Sequence, residues 1–361
     1  MGDTAGAQGW LEGMFARFRV PALSAAVAGT QGIVWQGALG TVDLEHDVVA
    51  MPHHRFRLAS VSKPITATLS ALLAARGLVD LDTPIAYWLP DLPAHHRATT
   101  LAQLLTHRGG VRHYLPRDTD PAQPYGSIHT RSTWNSAQVL ALFINDPLVA
   151  PPGAAVHYSS FGYSLAAIVL EAAAGASFQQ LVTDEIAGPF AMPSLAADDR
   201  ARLLKHRARP YSSAAERAAL QKTNPQANWP DAVDGFAPAL PLNPGYSWAG
   251  GGLIAAMPDI ACFGAAHLPG AHSPVSDALR QVLFTCRTQA DGTHAAMGLG
   301  WRVDTDSRGR LRWHHCGSMI GARASLVVYP DLHIALAFAT NVSGVIGDVL
   351  GPSADLADLF A

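Results

Sequence analysis

Strand-like runs stand at both ends of this chain, and helical runs fill the space between them. Near the start, residues 22–28 and 33–40 read as two strands around the turn Thr30-Gln31-Gly32, a hairpin. Near the end, residues 297–304, 311–315, 322–329 and 333–340 read as successive strands joined by turns such as Ser307-Arg308-Gly309 and Pro330-Asp331. This pattern predicts an α+β fold. One antiparallel sheet built from both termini (residues 1–76 and 295–361) is flanked by helices, and residues 77–294 form a mainly helical lobe.

The helical runs are legible from apolar spacing. Trp10, Leu11, Met14 and Phe15 share a stripe over residues 8–18, and a second helix runs from near Ser60 to near Gly77. Further helices are expected from Thr100, as a cap, to Leu105, near 136–143, and over 161–174, 258–267, 274–284 and 353–360. Residues 113–156 and 196–245 are rich in Pro and polar residues and read as loops, the second long enough for a lid.

Composition narrows the function class. Hydrophobic residues make up 49% of the 361, with mean hydropathy +0.13, which is ample for a core. Net charge is −3 with both signs scattered, so no surface for nucleic acid or an anionic membrane is expected. No run reaches the ~18 apolar residues of a membrane span. The first residues lack the basic and apolar runs of a signal peptide, so the chain as written is expected in the cytoplasm, or outside it if a leader has been removed. Cys262, Cys286 and Cys316 are widely spaced and suggest neither a zinc site nor a disulfide framework. Adjacent histidines, as in His53-His54, His95-His96 and His314-His315, point apart on a helix or strand, so neither a metal nor any other cofactor is expected.

The stretch richest in chemistry is Phe56-Arg57-Leu58-Ala59-Ser60-Val61-Ser62-Lys63. At i and i+3 of a helix, the Ser60 hydroxyl and the Lys63 amine share a face. A serine needs a base to become a nucleophile, and a neutral lysine can be that base. The same spacing also suits a capping serine with a solvated lysine one turn on. Lysine is scarce, three against 22 arginines, and Arg could not act as a base. That favours chemistry at Lys63.

Three other segments bear on a site. Tyr158 follows the turn Pro151-Pro152-Gly153 and precedes a helix, where its phenol could relay a proton or simply stack in the core. His315-Cys316-Gly317-Ser318 ends a predicted strand, and an edge with Gly offers N–H groups to an oxyanion. His315 could equally be a satisfied core histidine, and Cys316 reads as a small apolar residue. Gly245-Tyr246-Ser247-Trp248-Ala249 approximates a nucleophile elbow, but prolines precede it where a strand is required.

Together these motifs resemble the serine β-lactamase and penicillin-binding-protein superfamily, on its class C, D-alanyl-D-alanine carboxypeptidase and esterase side. Ser60-Val-Ser-Lys63 looks like the first motif, Tyr158-Ser159-Ser160 like the second, and His315-Cys316-Gly317 like the third. Leu104-Leu105-Thr106-His107-Arg108-Gly109-Gly110 and Trp248-Ala249-Gly250-Gly251-Gly252 resemble supporting segments. The latter gives Ser247 a structural explanation. The run Leu105 to Tyr114 and the segment 158–163 are most similar to the mitochondrial LACTB-type serine β-lactamase-like branch and its bacterial counterparts.

The resemblance implies a site in the groove between sheet and helical lobe. It implies Ser60 as acyl-accepting nucleophile, Lys63 as its activating partner, Tyr158 as proton relay and His315 lining the cleft. Backbone N–H groups of Ser60 and Ser318 would form the oxyanion hole, with Ser160 and Gly317 contacting substrate. Two positions depart from the family pattern: Ser160 replaces Asn and Cys316 replaces Thr. The expected function is a cofactor-free serine hydrolase acting on an ester or amide, with a small molecule or peptide as substrate. An acyltransferase or a non-catalytic β-lactam-binding or scaffold protein are the alternatives.

Overall fold

In the computed structural model, residues 2–119, 134–223, 234–287 and 295–361, with residues 232 and 292, are described. Seven strands form the main sheet, in the order Val48–Val49, Gly32–Asp43, Ala22–Gly29, Ile334–Thr340, Ala322–Tyr329, Leu311–Met319, Arg302–Thr305. Every neighbouring pair is antiparallel, and Leu23 opposite Thr340 joins the N-terminal hairpin to the C-terminal strands. The α+β fold with an antiparallel sheet flanked by helices is therefore present.

Strand alternation divides the sheet into two unequal faces. Leu23, Val27, Leu336 and Phe338 point one way, into an apolar layer with Leu11 and Met14 of the helix Thr4–Phe18 and Leu356 of the helix Leu350–Asp358. Ala22, Ala26, Ala335, Ala337 and Ala339 point the other way, toward the helix Met257–Ala265. Small side chains on that face allow close approach: a β-carbon on Gly264 would stand 2.8 Å from the Ala335 β-carbon. Met257–Ala265 thus packs on the sheet although it falls within 77–294 by sequence.

The same inner core continues into the helices Ser62–Ala75 and Ser160–Ala174, through Ile65, Leu69 and Leu73 on the first and Phe161, Leu165 and Val169 on the second. Among the described residues, no single helix is long and apolar enough to cross a membrane.

Several boundaries differ from the sequence reading, and they matter for the site. The strand expected over 311–315 runs on to Met319, because a β-bridge ladder continues on one side to Ala322. The strand expected from 297 begins at Arg302. Part of the expected lid, residues 224–231 and 233, lies outside the described residues. Its described remainder includes the strand Tyr211–Ser213, held between Val342–Ser343 and Phe236–Pro238.

Candidate active site

The chain enters the site through the short strand Phe56–Arg57, which pairs with Leu253–Ala255. The buried Arg57 guanidinium fixes this entry: its Nε donates to Asp198 at 2.7 Å and its other nitrogens donate to the carbonyls of Ile320 and Leu242. Ala59 then adopts a left-handed conformation, φ 47°, a state that costs a non-glycine residue ~1–3 kcal/mol. The surroundings hold it there. Leu58 N–H donates to Leu253 O at 3.0 Å, and a β-carbon on Gly317 would come within 2.2 Å of Leu58 O. Ser60 lies in the resulting 3-10 turn, Ala59–Val61, and the α-helix starts at Ser62.

Lys63 is completely buried. Its Nζ donates to Ser60 Oγ at 3.1 Å, Ser160 Oγ at 3.2 Å and Gly250 O at 2.5 Å. It also lies 4.7 Å from the ring centre of Tyr158 and 5.3 Å from that of Tyr163. None of these partners carries a carboxylate. Burial therefore pushes the Lys63 pKa below its usual value, with a further push from Arg302 and an opposing pull from Tyr158.

Tyr158 Oη donates to the same hydroxyl, Ser60 Oγ, at 2.7 Å. Its position follows from the residue after it. Ser159 caps the helix Ser160–Ala174 by accepting from Gly162 N–H, donates its hydroxyl to Arg112 O at 2.7 Å, and donates its N–H to His107 Nδ1 at 3.1 Å. The His107 ring packs 4.3 Å from that of Tyr158, and the His113 ring stands edge-on at 5.5 Å. Ser160 N–H donates to His113 Nδ1 at 3.2 Å.

The strand Leu311–Met319 closes the other side. Arg302–Thr305 pairs with it only from Leu311 to His314, which leaves Cys316–Met319 as an edge beside Ser60. Alternation turns His315 and Gly317 toward the Leu58–Ser60 turn and Cys316 toward the outer apolar layer. His315 does not line the cleft. It is buried behind Tyr158, ring centres 6.4 Å apart, and its Nδ1 donates to Cys316 O at 2.8 Å. Burial and the neighbouring Lys63 push the pKa values of His107 and His315 far below the ordinary imidazole value, and that of His113 down to about 4. Burial raises the Cys316 thiol to about 11, which keeps it protonated and poorly nucleophilic.

A cleft of about 420 Å³ opens over Ser60. Leu242, Pro244, Tyr246, Met319 and Ile320 give it apolar walls, and Ser318 and Arg323 stand at its edge. Among the described lining residues there is no carboxylate. Arg323 is anchored through Nε to Ile346 O at 3.0 Å, while Arg112 is committed to Asp118 and Asp146. Ser247 also faces the cleft and accepts from Tyr114 Oη at 2.7 Å. No strand leads into it: it ends the 3-10 turn Pro244–Ser247.

The structure thus gathers Ser60, Lys63, Tyr158 and Ser160 within hydrogen-bonding reach, with Gly317 and Ser318 beside them and His315 behind. Sequence reasoning assigned no role to His107, His113 or the Gly250 carbonyl. Thr106-His107 stood out only as part of a motif, and the left-handed His107 backbone, φ 59°, has no signal in the residue type.

The chain belongs to the Beta-lactamase family, whose model matches residues 8–357. Within that family it is 26% identical over 298 residues to the human mitochondrial serine beta-lactamase-like protein LACTB, a match covering 66% of this chain and 51% of that protein. It is 27% identical over 255 residues to the esterase EstB of Burkholderia gladioli, covering 65% and 62%. The chain spans about half the length of the mitochondrial relatives it matches. Among solved structures, a D-stereospecific amidohydrolase from Streptomyces sp. superposes with TM-score 0.76 at 25% identity, covering 99% and 98% of the two chains. The D-amino acid amidase of Ochrobactrum anthropi SV3 superposes with TM-score 0.80 at 21% identity, a likeness of fold.

Proposed function

We propose that this protein is a serine hydrolase that cleaves an ester or amide through an acyl-enzyme on Ser60. The observation that carries this reading is the convergence of Lys63 Nζ and Tyr158 Oη on one hydroxyl oxygen, Ser60 Oγ. In its neutral form Lys63 keeps its two N–H groups on Ser160 Oγ and Gly250 O and turns its lone pair to Ser60, taking the hydroxyl proton as Oγ attacks the substrate carbonyl carbon. The N–H groups of Ser60 and Ser318 receive the negative charge that develops on the carbonyl oxygen. Tyr158 passes a proton to the departing alcohol or amine and draws a replacement from Lys63. Water then attacks the acyl-enzyme by the reverse relay, which restores the Ser60 hydroxyl. In this reading the cleft lies between the sheet lobe and the helical lobe.

Substrate class follows from the walls. Apolar residues and the absence of a described carboxylate suit an uncharged acyl group of modest size. The names of two relatives, an esterase and a D-stereospecific amidohydrolase, support ester and amide bonds as targets. The test is intact-mass spectrometry after exposure to p-nitrophenyl esters and D-amino-acid amides. A mass gain of one acyl group, absent in Ser60→Ala, is expected. Equal labelling of both proteins would overturn the reading.

A further inference from the structure

The segment that leads into the Ser60 turn carries a second cluster with no part in the hydrolase reading. On a helix or strand the adjacent rings of His53 and His54 would diverge. Residues 51–54 form a turn instead, closed by His54 N–H donating to Met51 O at 3.0 Å, and the two rings stack 4.7 Å apart. His206 arrives from a distant part of the chain, its ring 4.6 Å from His53 and 5.9 Å from His54. One ring nitrogen from each residue lies within 4.8 Å of the other two.

We propose that His53, His54 and His206 bind a divalent transition-metal ion of the zinc class, with three imidazole ligands and a fourth position left open. Ligand atoms about 2.0 Å from zinc in a tetrahedron stand about 3.3 Å apart. Nitrogens within 4.8 Å reach that spacing by small ring rotations, and the exposed His53 and His206 are free to make them. The backbone is already fastened: Arg55 N–H donates to His206 O at 2.7 Å and Ala208 N–H donates to Arg55 O at 2.9 Å.

The turn fixes the His54 ring: Nδ1 accepts from Met51 N–H at 2.9 Å and lies 3.2 Å from Met51 O, so metal binding at Nε2 moves the ring proton to Nδ1, where Met51 O can accept it. The neighbouring Arg207 directs its guanidinium away, donating to Asp199 O at 2.7 Å. An all-imidazole set selects zinc, copper or nickel and disfavours calcium or magnesium, which prefer oxygen. A bound ion would tie the turn before Arg57 to the segment that carries Asp198 and His206, and so brace the entry to Ser60 from outside the cleft.

The experiment titrates chelator-treated full-length protein with Zn2+ by calorimetry, with Co2+ absorption spectra as a second readout. Wild type is compared with His53→Ala and His206→Ala, both at exposed positions where folding should survive. The proposal expects one saturable site of micromolar or tighter affinity. It expects affinity to fall by at least about tenfold in each variant, with loss of the tetrahedral Co2+ bands. Binding weaker than millimolar, unchanged binding in both variants, or loss in only one of them would overturn the three-ligand site.

Discussion

Gly317 passes so close to Leu58 that a β-carbon on the first would stand 2.2 Å from the carbonyl oxygen of the second. That contact seats the free edge of the strand Leu311–Met319 against the turn that presents Ser60. Gly317→Ala must push the two backbones apart. An ångström of misplacement at reacting groups can cost ~100-fold in rate. We expect kcat of Gly317→Ala to fall by at least about tenfold on any substrate that wild type turns over, while a folded circular-dichroism spectrum is kept. Unchanged kcat would show that the edge strand takes no part in positioning the carbonyl.

Ser60→Ala should abolish acylation, and Ser247→Ala should not. Both hydroxyls face the cleft, but only Ser60 receives Lys63 and Tyr158 together, whereas Ser247 receives Tyr114. Removing the Ser247 hydroxyl leaves the half-buried Tyr114 phenol without that acceptor, a cost of ~1 kcal/mol. A lowered melting temperature with acylation retained is the expected Ser247→Ala result. Fluorophosphonate labelling of both variants is the direct check.

Lys63 should act as a neutral amine. Its buried pKa lies below the free value of about 10.4, so activity rises with pH along a limb at lower pH than free lysine would give. The linked stability has the same sign. Between the depressed folded pKa and about 10.4 the unfolded chain binds more protons, so Lys63 lowers stability progressively as pH falls through that window. Lys63→Met is therefore expected to be inactive yet to melt higher than wild type at pH 7. Lys63→Arg should also be inactive, because Arg keeps its proton. Measurable turnover by Lys63→Arg would reduce Lys63 to a fixed positive charge.

β-Lactams should be poor substrates beside simple esters. A β-lactam carries a carboxylate that needs a cation beside it, and the imidazole of His315 is held neutral well below its ordinary pKa by burial and by Lys63. Ser160 is shorter than Asn, and its hydroxyl already accepts from Lys63. Each charged hydrogen bond forgone is worth ~1.5–3 kcal/mol. The ratio of kcat/KM for nitrocefin to that for a p-nitrophenyl ester should stay below one from pH 6 to 8. Because His315 does not become charged in that range, acidification should not raise it.

Much of this architecture is written locally. The Ser60 to Lys63 spacing, the Thr100 cap and the alternating strands at either end are short-range patterns, and each appears close to where residue type puts it. What escaped the sequence is set by distant partners. His315 belongs to a motif, but which way its ring points depends on how far the strand runs past Arg302–Thr305. His107 holds Tyr158 from 51 residues away through a backbone conformation that its own identity does not announce. His53 and His54 looked divergent because adjacent rings diverge on regular elements, and a four-residue turn removes that premise.

The pairing of Leu23 with Thr340 sets when a molecule of this kind could begin to work. A ribosome releases the N-terminal hairpin and the Ser60 helix long before Ile334–Thr340, the strand that joins the hairpin through Ala322–Tyr329 to Leu311–Met319, has been made. Until that last piece arrives, a nascent chain has its serine and lysine but no edge strand fixed against them. Contacts so far apart in sequence also close slowly. Acyl transfer would then be silent throughout translation and start only with a finished sheet, so an interrupted product carrying the first motif would be inert toward substrate.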